Sequence, residues 1–155
     1  MAVSLPGSVT GAAQTSFTTP GYTTTADSAP DANGKQWAVT ALTGTQAGVT
    51  VSSVAAPFTW TFVKPKRFRA LGKANPVTGV IADVPRNVYQ VLTRKGVLPL
   101  AGQPYATMIV RTTIEVPAGS DVADAANVKA ALSLHIGGLY QISSGIGDTV
   151  LTGVF

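Results

Sequence analysis

The residues of this 155-residue chain that could do chemistry are mostly cations, and they are bunched. Eight of its eleven Lys and Arg residues fall between positions 64 and 95: Lys64, Lys66, Arg67, Arg69, Lys73, Arg86, Arg94 and Lys95. Asp83 is the one acid in that span, so the formal net charge of +4 understates the local asymmetry. Such a patch can neutralise a polyanion, of which nucleic acid is the commonest, or it can be a solvated sheet face. Charge alone does not separate the two.

Catalysis needs convergent titratable groups, and none converge here. The single histidine, His135, falls on the apolar stripe of an expected helix, Glu115 is the only glutamate, and the six aspartates show no paired spacing. Ser143-Ser144-Gly145 lacks the strand–turn–helix setting of a nucleophile elbow. No cluster of His, Cys and carboxylates has metal-ligand spacing, and no glycine-rich stretch leads into Lys-Ser/Thr as a phosphate loop would. The expectation is a chain with no catalytic residue, no metal, no cofactor and no small-molecule substrate. Trp37 and Trp60 could stack on bases, but Trp60 shares its face with Phe58 and Phe62, which favours burial. Asp121 and Asp124 could hold a cation; helix capping accounts for both more simply.

Apolar residues at 45% and charged residues at 12% describe a folded chain of one domain. No run of about eighteen apolar residues is present, so no transmembrane helix and no membrane partner are expected. The opening "MAVSLPGSVTGAAQ" has no basic n-region, and the chain has no cysteine, which fits a reducing cytoplasm.

The elements that must carry the cations read mostly as strands. Residues 1–35 are rich in Ser, Thr, Gly, Ala and Pro and predict an edge hairpin or arm, closed by the turn signal "DANGK". Strands follow at 36–42, 48–54, 58–64, 86–96 and 105–116, at hairpin spacing, so residues 36–116 predict a five-stranded antiparallel meander. "FTWTFVK" alternates: Phe58, Trp60 and Phe62 on one face, Thr59, Thr61 and Val63 on the other. A helix begins near Ser120 or Asp121, with Asp121 and Asp124 spaced like a capping box. Its apolar stripe is Val128, Ala131, Leu132, His135, Ile136 and Leu139. Gly137-Gly138 either ends it or admits a close neighbour, and a last short turn of helix is expected in the tail.

One helix of about twenty residues spans only about 30 Å, too little to cover the aromatic face of a five-stranded sheet. Helices shared across a symmetric dimer solve that, with Val128, Leu132, His135, Ile136 and Leu139 at the interface. The Thr59 and Thr61 face, with the basic residues nearby, could then stay wet.

The colinear set "NGKQW" (33–37), "TWTFVKP" (59–65), "RNVYQV" (86–91), "RKGVLPLAGQPY" (94–105), "TTIEVPAGSDVADAANVKAALS" (112–133) and "GDTVLTGVF" (147–155) resembles the coat proteins of single-stranded RNA bacteriophages of the levivirus type. The resemblance spans roughly residues 33–155. It implies an α+β fold: an N-terminal β-hairpin, a five-stranded antiparallel sheet, and C-terminal helices (120–150) that interlock across a dimer. It further implies homodimers assembling into an icosahedral shell, typically T=3, around single-stranded genomic RNA, formed in the bacterial host cytoplasm and found in the virion. Some members also bind an RNA hairpin and repress translation.

By the same resemblance the loop Gly96, Val97, Leu98, Pro99, Leu100, Ala101, Gly102, Gln103 and Pro104 gathers at symmetry axes between dimers. RNA would meet Thr59, Thr61, Val63, Lys64, Lys66, Arg67 and Arg69. Aligning Tyr89 with a family tyrosine adds Arg86, Gln90 and Arg94. The chain departs from better-known members at Val88 and Leu92, which are lysines there. It also has Thr107 near the place of a base-stacking tyrosine, with Tyr105 two residues earlier on the same face. The resemblance therefore carries phosphate contact further than hairpin recognition. A small, non-assembling β-sheet nucleic-acid-binding regulator is the alternative; it shares the basic sheet but not the large particle.

Overall fold

The computed structural model describes residues 2–155. They form six strands, β1 (Ser8–Thr10), β2 (Thr18–Asp27), β3 (Gly34–Thr45), β4 (Phe58–Val63), β5 (Arg86–Val97) and β6 (Ala106–Pro117), then three helices, α1 (Ser120–Ala123), α2 (Ala125–Gln141) and α3 (Ser143–Thr152). The strands make one antiparallel sheet in the order β1-β2-β3-β4-β5-β6. An antiparallel sheet followed by C-terminal helices is the architecture expected, with two corrections to its strands.

The N-terminal segment is no separate arm: β2 pairs with β3 from Thr18↔Thr45 to Asp27↔Gln36, so the hairpin extends the sheet to six strands. A bulge between Thr18 and Gly21 breaks its alternation. There Gly44 is required, because it lies at φ +74 and a Cβ on it would stand 2.1 Å from the Thr19 carbonyl oxygen. The strand expected at 48–54 is instead a loop. Gly48 takes φ +82, and the Ser52 and Ser53 hydroxyls accept the Phe58 and Ala56 N–H groups at 3.1 Å each. These local bonds replace a strand ladder.

The helical region differs in its caps. Gly119, at φ 86, occupies the N-cap of α1, and neither Asp121 nor Asp124 makes a side-chain cap bond. The Asp124 carboxylate takes the Asn127 amide instead, at 2.8 and 2.9 Å. Gly137 and Gly138 lie inside α2 rather than ending it, and the tail holds a ten-residue helix rather than a short turn.

Directly opposed residues share a sheet face. One face is aromatic: Trp37 packs on Trp60 at 5.6 Å, Tyr22 meets Phe58 edge-on at 5.6 Å, and Phe62 lies 6.2 Å from Tyr89. The other carries Gln36 opposite Thr61, Thr59 opposite Arg94, and Gln90 opposite Thr113. The helices lie on the aromatic side without closing on it. A cavity of about 540 Å³ separates Trp60, Val91, Thr93 and Ile114 from Leu132, His135, Ile136 and Leu139 of the same chain. The buried apolar core is consequently small, comprising Trp37, Val39, Ala56 and Ala118.

Candidate functional site

The polar face is organised by a residue that sequence spacing did not single out. Gln36, near the start of β3, uses its whole amide. Its oxygen accepts from the Thr61 hydroxyl at 2.9 Å and from the Arg94 guanidinium at 3.2 Å. Its nitrogen donates to the Asp27 carboxylate at 2.7 Å and to the Ser28 carbonyl at 3.2 Å. With two donors and two lone pairs engaged, Gln36 fixes the direction of Arg94 across three strands. Arg94 keeps a buried Nε with no protein partner.

Thr59 and Thr61 face this way, as alternation requires, but they are not wet. They are 7% and 1% exposed. Both sit on the central strand β4, shorter than the Gln36, Leu92 and Arg94 side chains around them. Solvent-facing contact on this side falls instead to Arg94, Gln90, the exposed Val88 and Arg86. Arg111 joins them: it stands opposite Leu92 and is exposed. Its parity with Thr107 and Tyr105 could have shown this from sequence.

Five further cations, Lys64, Lys66, Arg67, Arg69 and Lys73, gather at one end of the sheet, in the 64–85 connection between β4 and β5. Lys64 lies on the aromatic side, lining a recess with Lys35, Phe62, Phe68 and Tyr89. Phe68 packs 6.4 Å from Tyr89, and Asn87 brackets Arg69, accepting its N–H at 2.8 Å and donating to its carbonyl at 3.1 Å. This clamp holds the loop root, with Arg67 and Arg69 exposed beside it. Lys66 reaches the Asp31 carboxylate at 3.2 Å, and Arg86 pairs with Glu115 at 3.1 Å. Exposed pairs of this kind contribute little to stability and leave both cations accessible. The Asn33 backbone N–H first, then Lys66, hold the Asp31 carboxyl below the ordinary carboxylate range. Among the described residues, no group of three His, Cys, Asp or Glu side chains comes together.

The opposite side presents apolar surface. On α2, Ile136 is 63% and Leu139 43% exposed, and Leu132 and His135 line two cavities against the sheet. Gly137 and Gly138 have no neighbour within 4 Å of an added Cβ. Strand β6 is a twelve-residue edge pairing only with β5, and Met108, Ile109 and Val110 are exposed along it. The loop after β5 exposes Leu98 and Leu100, with a turn closed by Gln103 N–H to the Leu100 carbonyl at 3.1 Å.

No family profile matches the chain, and no curated protein matches it. Among solved structures it is similar to the virus-like particle of bacteriophage ESE020, at 56% identity, with 99% of this chain and 100% of that one covered and a TM-score of 0.96. That identity along the whole length of both chains, with the fold described above, means that the chain belongs to the family of bacteriophage capsid proteins.

Proposed function

We propose that this capsid protein is the coat protein of a single-stranded RNA phage, dimeric in its building block and assembled into an icosahedral shell that encloses the genome. The observation that carries assembly is uncovered surface. The chain exposes 10,729 Å², whereas a compact monomer of its 15.8 kDa exposes about 7,300 Å². Part of the surplus of about 3,400 Å² is the 64–85 loop. One standard interface covers about 800 Å² per partner, so the whole surplus is about four times that and leaves room for more than one contact per copy.

The edge of β6 and the α2 stripe supply the first of these. A long, exposed, apolar edge strand is a template for another strand, and pairing two β6 edges about a two-fold axis brings a second α2 to the uncovered aromatic side. The polyanion reading rests on Lys66, Arg67, Arg69 and Arg111, which are exposed and free or only loosely paired, and on Arg94, which is half-buried and held in place by Gln36. The residue pattern quoted above supplies the RNA phage assignment within the capsid family.

Expression of the chain alone, followed by electron microscopy and nuclease-resistant RNA measurement, tests the proposal. Shells containing RNA are expected. A monodisperse small species, with or without RNA, would instead support the non-assembling regulator. Arg67→Glu with Arg111→Glu, neither of which holds another side chain, should lower RNA per particle. It should also reduce the salt slope of RNA binding by about 0.7 per lost phosphate contact.

A further inference from the structure

The end of the sheet away from the 64–85 loop carries the 46–57 loop between β3 and β4 and the 98–105 loop between β5 and β6. Neither contains a charged residue, so neither is built for a polyanion, and the one cation lining the recess between them, Lys95, is turned onto Thr50. They differ in rigidity. In the first, Gln46 donates to the Gly21 and Thr43 carbonyls at 2.9 and 2.7 Å, and Ser52 N–H donates to the Val39 carbonyl at 2.8 Å. Gly96 N–H reaches the Pro57 carbonyl at 2.7 Å. A Cβ on Gly96 would stand 2.5 Å from the Cα of Ala56, so the loop lies directly on the backbone at the root of its neighbour.

Lys95 completes the fastening. Its ammonium donates to the Thr50 carbonyl at 2.7 Å and to the Thr50 hydroxyl at 2.9 Å. It lies 4.7 Å above the Phe58 ring. Held this firmly, the loop nonetheless leaves Val54 fully exposed, at 106%. Beside it a recess of about 320 Å³ opens between the loops, lined by Val49, Thr50, Lys95, Val97, Leu98 and Tyr105.

We propose that Lys95 is a positioning residue for contact between copies of this chain, clamping 46–57 to the root of 98–105 so that Val54 of one copy seats in the recess of the next. Knob and recess are different patches at one end of the molecule, so the contact is head-to-tail, the kind that forms a ring where the rotation between successive copies closes. A rigid apolar knob loses little conformational entropy on seating. The inference rests on the assembly reading above and adds to it a second loop, a clamp and a seat.

The test compares the unaltered chain with Lys95→Met, which keeps the stem over Phe58 and removes the donor, with Lys95→Arg, which restores a donor, and with Val54→Asp. Each is examined for shells by sedimentation and electron microscopy, for building-block size by light scattering, and for amide hydrogen exchange over residues 50–53. Lys95→Met and Val54→Asp should each give about tenfold fewer shells, equivalent to about 1.4 kcal/mol at one contact. Building-block size should be unchanged. Exchange at 50–53 should rise for Lys95→Met alone, and Lys95→Arg should recover shells. Failure of the unaltered chain to form shells overturns the assembly reading. Normal shells from it and from Lys95→Met overturn the clamp, as does loss of the building block in that variant. Normal shells from Val54→Asp overturn the seat.

Discussion

Replacing Gln36 by leucine tests whether the polar face is one hydrogen-bonded unit. The substitution removes an acceptor shared by Thr61 and Arg94 and a donor shared by Asp27 and Ser28. The consequences are unequal. Thr61 is 1% exposed, so its hydroxyl loses a partner that water cannot replace, at about 1–3 kcal/mol. Arg94 is half-buried, and Asp27 and Ser28 are exposed; water can serve them, leaving about 0.5–1 kcal/mol for the lost bonds. The expected loss is therefore about 1.5–4 kcal/mol.

Thr61→Val separates the contributions, because it deletes the hydroxyl and keeps the branched shape. In that background Gln36→Leu strands no buried donor and should cost only about 0.5–1 kcal/mol, giving a coupling of about 1–3 kcal/mol between the two sites. Urea unfolding of all four proteins at one fixed protein concentration, needed because assembly contributes to apparent stability, reads the cycle. Additive effects, or a Gln36→Leu protein as stable as the parent, would refute the reasoning that a buried Thr61 depends on this amide.

Ile136→Asp combined with Leu139→Asp places two carboxylates on the exposed α2 stripe. Sedimentation should then show a small species in place of shells, and normal shells would remove that stripe from the contacts between copies. For Asp31, the carboxyl is held low, so its contribution to stability is present above the ordinary carboxylate range and is lost as pH falls through its lowered folded value. The parent should therefore exceed Asp31→Asn in urea midpoint at neutral pH and lose that advantage in acid. An advantage that persists in acid would contradict the assignment.

The alternation of "FTWTFVK" made the two faces of the sheet legible at β4, because a two-residue period is a local property; for β5 the register came from the family resemblance at Tyr89. The same period misled at 48–54. Val49 and Val51 alternate like a strand, but Gly48 at φ +82 and two serine hydroxyls turn the chain away from pairing. In β2 the bulge at Thr18–Gly21 interrupts that period, yet the edge hairpin expected within residues 1–35 is present. Asp121 and Asp124 had the spacing of a capping box, yet Gly119 took the cap and Asp124 bonded Asn127. Exposure of Thr59 and Thr61 was not legible at all, because it depends on the length of side chains on neighbouring strands. Gln36 was hidden for the same reason: its four bonds join β2, β3, β4 and β5, and only register reveals them. The gap between α2 and its own sheet likewise follows from three-dimensional placement, which helical spacing does not encode.

The cation-rich 64–85 connection and the two uncharged loops lie at opposite ends of this sheet, with Arg94 and Lys95 near the loops, and that sorting predicts how particles respond to salt. The 64–85 connection holds five cations, while 46–57 and 98–105 hold no charge. Contacts to a polyanion should weaken steeply with ionic strength, whereas contacts through Val54, Leu98, Leu100 and the α2 stripe should not. At about 1 M salt the Debye length falls to about 3 Å, which screens the phosphate contacts and also the mutual repulsion of copies bearing +4 each. Shells should then remain intact, with their RNA held by enclosure rather than by charge and open to exchange if the shell is nicked. Light scattering and nuclease sensitivity across a salt series measure both quantities on one sample. Disassembly in step with loss of RNA contact would mean that RNA, not protein–protein packing, holds the copies together, and the division of labour between the two ends would be wrong.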